Sequence, residues 1–294
     1  MLVSIVTLNY KKPELTINCV FSLWKQFKKE FENNDLELII IDNASGDNSK
    51  ELIEKEIKEK KYKNIKFIES GVNGGFGKGC NLGAEKSKGD YILFLNNDTQ
   101  IKDNGILSMA RYMKVHPEIA ILGGQLRNMD GSLQSSAGKF YNLFNAILLL
   151  FGFQKYGLLD NIPLKIEKVD WVKGGLLMIE RKAFLKLGGF DEKIFMYTED
   201  MELCYRAKKM NYLTYFYPNV NILHMEHGSS SRTFAIINIY KNLLYFYKKH
   251  KSIFEYQILK IFMSAKAILL IIVGSLSGNS YIKQTYAEAL KAIS

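Results

Sequence analysis

Short apolar runs alternate with segments of helical period through the first hundred residues, and that alternation leaves few folds open. Leu2–Leu8, Leu36–Ile41, Ile65–Ile68 and Tyr91–Leu95 read as buried strands. Between them, Pro13 opens a helix with Leu15, Cys19, Leu23 and Phe27 on one face. Ser49–Lys61 reads as a charged helix and Asn81–Lys88 as a short one. Strand and helix in this order predict a parallel sheet with crossover helices. Such sheets bind ligands beyond the carboxyl ends of their strands. Here those ends are Asn9, Asp42, a glycine-dense loop at 70–79 and Asp98, so polar residues gather where an α/β site forms.

The middle of the chain is less regular. Ile119–Leu126 and the Asp130-Gly131 turn suggest a hairpin, while Phe140–Leu159 is apolar and without an assigned place. A helix near Glu199–Met210 and two short strands, Leu213–Tyr217 and Val220–His224, close the domain. After Ser231 the pattern changes: Ile236, Ile237, Tyr240, Leu243, Leu244 and Tyr247 follow helical spacing, with Asn238, Lys241, Lys248 and Lys249 elsewhere. The expected organisation is one domain over residues 1–231 and a basic amphipathic helical tail over 232–294.

Charge supports that division. The net charge is +10, and the tail holds +7 of it, nine basic residues against Glu255 and Glu288. The body is only mildly basic, which argues against nucleic acid as its partner. An apolar share of 47% excludes a disordered chain. Cys19, Cys80 and Cys204 lack CxxC spacing and read as reduced thiols of a cytosolic protein. The N-terminus enters a strand without a basic n-region, so no signal peptide is expected. The charge-free apolar stretches Phe140–Gln154 and Ala267–Tyr281 fall short of the ~20 residues that span a bilayer, so a chain that does not cross a membrane is expected.

Four motifs can carry chemistry. The loop Gly71-Val-Asn-Gly-Gly-Phe-Gly-Lys-Gly-Cys-Asn-Leu-Gly83 lets backbone approach a ligand and leads into a helix N-terminus, which favours an anion. It lacks the Gly-Lys-Ser/Thr of a P-loop and has Leu82 where a dinucleotide fingerprint has its third glycine, so by itself it serves equally as a tight turn. Asp98, after two asparagines at a strand end, reads as an oxygen ligand for a hard divalent cation or as an Asx turn. Glu199-Asp200, taken alone, reads first as a pair of dipole partners at a helix start. His224 and His227 suit a metal or a structural role.

In this order the pieces resemble glycosyltransferase family 2, nucleotide-sugar-dependent enzymes of the GT-A fold, and within it a rhamnosyltransferase-like branch. The matching residues are Val3-Ser-Ile-Val-Thr-Leu-Asn-Tyr10, Ile41-Asp-Asn-Ala-Ser-Gly-Asp47, Asn73-Gly-Gly-Phe-Gly-Lys-Gly-Cys-Asn-Leu-Gly83 and Phe94-Leu-Asn-Asn-Asp98. Gly189-Phe-Asp-Glu192, Tyr197-Thr-Glu-Asp-Met-Glu-Leu-Cys-Tyr-Arg206 and His224 before Gly228-Ser-Ser complete the set. The fold implied is α/β: a GT-A, Rossmann-like mixed sheet flanked by helices, with a C-terminal helical extension.

The function implied is inverting transfer of rhamnose or a hexose from a nucleoside-diphosphate sugar, dTDP-rhamnose first and a UDP-sugar second. The acceptor implied is a glycan or polyprenyl-linked glycan. A leaving diphosphate needs its charge neutralised, and a divalent metal, Mn²⁺ or Mg²⁺, is the usual means. By resemblance the metal falls to Asp98 and His224, with His227 as second choice; Asn96-Asn97-Asp98 has one carboxylate fewer than the common Asp-x-Asp. Asp42 meets the nucleotide base, with Thr7 and Asn73 lining its pocket. Asn9, Asn43, Gly75, Phe76, Gly77, Asn81, Asn96, Asn97 and Arg206 complete the implied nucleotide-sugar site. The acceptor hydroxyl must shed a proton, and resemblance assigns that base to Asp200, oriented by Glu199. Trp171 and Gly174-Gly175 fall on the acceptor side, although Trp171 serves equally as core packing.

The basic, aromatic tail suits a helix in the plane of a membrane or a helical pair packed on protein. The expected location is the cytoplasm, peripheral on the inner face of the cell membrane. Two rival classes remain. A sugar-nucleotide pyrophosphorylase would need a Gly-rich, Arg-bearing loop where Asn9-Tyr-Lys-Lys-Pro13 stands. A non-catalytic glycan-binding or scaffold subunit would have no use for both Asp98 and Asp200.

Overall fold

The computed structural model describes residues 2–151, 160–225 and 231–293. It begins with β1 (Val3–Asn9), α1 (Pro13–Glu32), β2 (Leu36–Asp42), α2 (Ser49–Glu59), β3 (Ile65–Glu69), α3 (Gly75–Glu85), β4 (Tyr91–Leu95) and β5 (Thr99–Ile101). The four strands expected from the sequence pair in parallel in the order β3-β2-β1-β4. All seven residues of β2 are buried, as an apolar strand covered on both faces requires.

The chain continues through α4 (Gly105–Val115), β6 (Ile119–Arg127), β7 (Ala137–Gly138), α5 (Leu143–Leu150), β8 (Asp160–Asn161), β9 (Glu167–Lys168) and β10 (Trp171–Val172). Then come β11 (Leu176–Glu180), α6 (Arg181–Leu187), α7 (Glu199–Lys209) and β12 (Leu213–His224). Antiparallel β11 joins β4 to β6, and β12 runs parallel to β6, so the sheet is mixed, in the order β3-β2-β1-β4-β11-β6-β12-β5. β10 pairs with β7 outside it. Leu23, Phe27 and Phe31 of α1 and Met109 and Met113 of α4 join Ile5, Leu38, Leu93 and Met178 of the strands in one core. Full burial of each such side chain contributes about 1.5–3 kcal/mol. Phe94 meets Phe184 and Phe190 at centroid distances of 5.1 and 4.9 Å.

Several local expectations are corrected. The helix expected at Asn81–Lys88 starts six residues earlier, at Gly75, inside the glycine-dense stretch. Its glycines serve packing: a Cβ on Gly79 would lie 2.1 Å from Leu8 Cδ2, so α3 lies close enough to β1 that a side chain there would displace Leu8. The hairpin expected after Leu126 forms around the Asp130-Gly131 turn but is short, with Arg127 bridging Leu133 and the Gln134 N–H donating to the Leu126 carbonyl at 2.9 Å. The two strands at 213–224 are one, with a register shift between Tyr217 and Ile222. Pro218 lies in that gap and has no N–H for a ladder. α4 and α6 were not expected: turn residues Asp103-Asn104-Gly105 disguise the start of one, and the other has only seven residues.

The chain forms two compact units. The first comprises Met1–Lys139, Asn161–Phe195 and Glu199–Ser229; the second comprises Phe140–Asp160, Met196–Thr198 and Ser230–Ser294. The second holds α5 and three further helices, α8 (Arg232–His250), α9 (Ile253–Leu276) and α10 (Ser280–Lys291). Tyr247 Oη donates to the Tyr141 carbonyl at 3.1 Å, and a Ser252–Glu255 capping box opens α9. α9 also corrects an expectation. It extends well upstream of Ala267, and its 24 residues are long and apolar enough, by length and composition, to cross a membrane. Leu259, Met263, Ala267 and Gly274 are its buried face, whereas Phe254, Ile261, Leu269, Ile272 and Leu276 are exposed. Residues 152–159 of the apolar stretch, and His227 with Gly228-Ser229-Ser230, lie outside the described residues.

Candidate active site

The carboxyl ends of β1 and β2 form a buried polar chain. Asn9 and Asp42 are register partners, and Asn9 Nδ2 donates to Asp42 Oδ1 at 2.7 Å. Ser45 donates to the same carboxylate through Oγ (2.6 Å) and its N–H (2.9 Å). Asn9 Oδ1 accepts from Thr16 Oγ1 at 2.8 Å, and Thr16 Oγ1 accepts from Asn97 Nδ2 at 2.9 Å. Asp42 is thereby tied, through three side chains, to the end of β4. Beside it, Asn43 Nδ2 donates to Asn73 Oδ1 (3.0 Å) and to the Gly75 carbonyl (3.1 Å), which pins the entry to α3. Phe76 N–H donates to the Phe195 carbonyl, and the Phe76 ring packs edge-on to Phe190. Thr7 Oγ1 is buried without a partner.

At the end of β4, Asp98 faces His224, the last residue of β12. Asp98 Oδ1 is buried, accepts no hydrogen bond, and lies 3.2 Å from His224 Nε2. Asn96 Nδ2 is 3.1 Å from the same nitrogen, and His224 Nδ1 is 2.8 Å from Gln134 Oε1. An unsatisfied carboxylate oxygen beside an imidazole nitrogen, with the other ring nitrogen already engaged, could hold a divalent cation. No group of three His, Cys, Asp or Glu gathers among the described residues. Two protein ligands suit a Mn²⁺- or Mg²⁺-type ion that takes its other ligands from substrate phosphates and water.

Glu199 and Asp200 open α7. Asp200 is partly exposed and each oxygen accepts a backbone N–H, Oδ2 from Gly174 at 2.9 Å and Oδ1 from Met201 at 2.7 Å. Glu199 is buried and its Oε2 has no partner. Burial, together with the Asp200 charge, pushes Glu199 up to about 8. Burial also raises Asp200, but the N–H groups of Gly174 and Met201 and the Lys173 ammonium hold it back. Burial beside the Asp200 charge favours the neutral form of Glu199, and the two N–H donors favour the charged form of Asp200. Tyr197 and Thr198, just ahead in the chain, have φ of 69° and 77°, a costly conformation for a β-branched threonine.

Gly174 and Gly175 connect these places: Gly174 holds Asp200, while the Gly175 carbonyl accepts from Asn96 N–H at 3.1 Å. Other expected residues serve as braces. Asn81 Nδ2 donates to the Phe190 carbonyl and Glu192 Oε1, and its Oδ1 accepts from Phe190 N–H. Arg206 Nε pairs with buried Glu202, while Nη1 and Nη2 donate to the carbonyls of Leu187 and Gly189. Trp171 is buried and donates to the Lys139 carbonyl at 3.0 Å. Gly77 packs against Phe190. Thr16, Gln134 and Lys173 were missed by sequence reasoning because none stands in a motif and only contact identifies them; Ser45 stands inside the Ile41–Asp47 motif, but nothing in its residue type marks it as the partner of Asp42.

Residues 4–169 match the family model described as glycosyl transferase family 2. The chain is 28% identical over 214 residues to the N-acetylglucosaminyl-diphospho-decaprenol L-rhamnosyltransferase of Mycobacterium tuberculosis, which spans 66% of this chain and 68% of the relative. It is 28% identical over 198 residues to rhamnosyltransferase WbbL of Escherichia coli K12, spanning 64% and 74%. Its fold resembles that of GalNAc-T7 solved with UDP, GalNAc and Mn²⁺, with a TM-score of 0.61 at 20% identity over 84% of this chain and 50% of that one. At that identity the likeness shows the fold, a GT-A mixed sheet flanked by helices.

Proposed function

The chain belongs to glycosyl transferase family 2, and on that premise we propose that it is an inverting rhamnosyl- or hexosyltransferase acting on a lipid-linked glycan. The observation that carries this reading is the Gly174-Gly175 link, which joins the Asp200 carboxylate to the end of β4, where Asn96 leads to Asp98 and Asp98 faces His224 of β12. A base for the acceptor and a charge sink for the leaving diphosphate are thereby held by adjacent residues.

Asp98 and His224 would hold the divalent cation, which when bound neutralises charge on the leaving diphosphate. Asp42, oriented by Asn9 and Ser45, would receive the nucleotide base, beside Asn43 and Asn73. The acceptor oxygen attacks the anomeric carbon from the face opposite the diphosphate. The bond from that carbon to the phosphate oxygen breaks, and its electron pair leaves with the diphosphate. Asp200 takes the hydroxyl proton. Glu199, neutral beside it, leaves Asp200 as the ionised partner.

One relative is by its name a rhamnosyltransferase of N-acetylglucosaminyl-diphospho-decaprenol, and an acceptor of that class lies at a membrane. The exposed apolar face of α9 and the preceding Lys248, Lys249 and Lys251 fit an anionic lipid surface, supporting a peripheral location on the inner face of the membrane. The test is transfer from dTDP-rhamnose and from UDP-sugars to polyprenyl-diphospho-N-acetylglucosamine in detergent, followed by chromatography of the lipid product. Product from one donor supports the reading; no product from any of them, Mn²⁺ present, refutes it.

A further inference from the structure

We propose that Gln134 is a positioning residue that fixes His224 as its Nδ1–H tautomer, leaving Nε2 as a lone pair beside Asp98. This rests on the reading of Asp98 and His224 as a cation site.

The polarity of one hydrogen-bond chain carries the inference. It begins at Asp130, whose exposed carboxylate only accepts. Ser132 Oγ donates to Asp130 Oδ1 at 2.6 Å, which uses the one hydroxyl proton. Toward Asn128 Nδ2, at 2.8 Å, Ser132 Oγ is therefore an acceptor. That orients the Asn128 amide and turns its Oδ1 to Gln134 Nε2 at 2.7 Å. The same Gln134 nitrogen donates to the His224 backbone carbonyl at 3.0 Å, another group that only accepts. Both anchors place Gln134 Oε1, an acceptor, 2.8 Å from His224 Nδ1, so Nδ1 carries a proton. A neutral ring protonated there has a bare Nε2.

On the far side of the ring the Asn96 donor agrees. Nε2 meets the Asn96 amide nitrogen at 3.1 Å, a donor, and Asp98 Oδ1 at 3.2 Å, an oxygen that accepts no hydrogen bond. Gln134 is itself buried, and its N–H donates to the Leu126 carbonyl at 2.9 Å, so the amide is held to β6. A partner on the remote nitrogen that fixes ring orientation and tautomer is what a ligating histidine requires.

The test uses the full chain labelled with ¹⁵N-histidine, metal-free, at about pH 8, where an ordinary imidazole is neutral. A long-range ¹H–¹⁵N correlation spectrum reports the tautomer, with His224 assigned by the signal lost in His224→Gln. The wild-type protein is expected to show a protonated Nδ1 and an unprotonated Nε2. The reverse pattern overturns the proposal without any Gln134 variant. Gln134→Met, of similar volume but with no acceptor, is expected to lose that tautomer preference. It should also weaken Mn²⁺ binding, read from the electron paramagnetic resonance of free Mn²⁺, by about 10–100-fold. Gln134→Glu keeps an oxygen against Nδ1 and should restore the tautomer; failure to do so marks a merely structural role and overturns the proposal. Asp98→Asn separates the two readings. If it weakens Mn²⁺ binding and Gln134→Met does not, the Gln134 role alone falls. If neither does, the cation site falls with it.

Discussion

The backbone N–H of Gly174 donates to Asp200 Oδ2 at 2.9 Å, so the candidate base is oriented by the turn that also reaches Asn96. Asp200→Asn keeps the shape and removes the basicity. Turnover is expected to fall by about 10²–10⁴ while nucleotide affinity is unchanged. Steady-state kinetics beside calorimetric nucleotide binding check this; a variant that turns over normally removes Asp200 from the mechanism.

Glu199 predicts a pH dependence of stability. Its folded-state value, about 8, lies above the ordinary 4.5, because burial penalises its charge and Asp200 adds repulsion. The folded protein thus holds this proton more tightly than the unfolded chain. That contribution is fully present below 4.5 and is lost as the pH rises through 8. Glu199→Gln cannot ionise and escapes the loss. Thermal melts from about pH 5 to about pH 9 should show the variant gaining on wild type as the pH rises. Parallel curves would contradict the assignment.

Much of this site was legible in the sequence because it sits at strand ends. The apolar runs located β1 to β4, and the residues that end them, Asn9, Asp42 and Asp98, followed from chain order. The carboxylates at the start of α7 were read from their motif. Gln134 was not legible: it stands in an irregular loop, and its role depends on His224, 90 residues away. Arg206 was read as a ligand of the nucleotide sugar because it closes a matching motif, but its guanidinium braces Glu202 and two carbonyls. Sequence motifs mark where charge is needed, without distinguishing a group that meets ligand from one that holds the loop.

Gly75 has φ of 86°, and a Cβ there would lie 2.0 Å from the Phe195 carbonyl oxygen. Gly75→Ala therefore combines a left-handed backbone with an overlap that a side-chain rotamer cannot relieve. Strain of this kind costs about 1–3 kcal/mol. Denaturant unfolding should show at least that loss, with weakened nucleotide binding because Asn43 and Asn73 lose their common anchor. Wild-type stability would show that the α3 entry tolerates a side chain.

The apolar face of α9 predicts membrane binding. Wild-type protein should float with phosphatidylglycerol vesicles and less with neutral phosphatidylcholine ones. Ile261→Asp with Ile272→Asp, both on the exposed face, should abolish flotation while leaving transfer to a short soluble acceptor intact. Undiminished flotation would place the lipid contact elsewhere.

Asp98 and His224 are proposed to bind a divalent cation together with a nucleoside diphosphate. The decisive experiment is isothermal titration of dTDP, UDP and GDP, with and without Mn²⁺. One nucleotide is expected to bind only with Mn²⁺; Asp98→Ala should abolish this binding and Asp200→Asn should preserve it. Absence of binding by all three with Mn²⁺ present, or Mn²⁺-dependent binding that survives Asp98→Ala, would contradict that proposal.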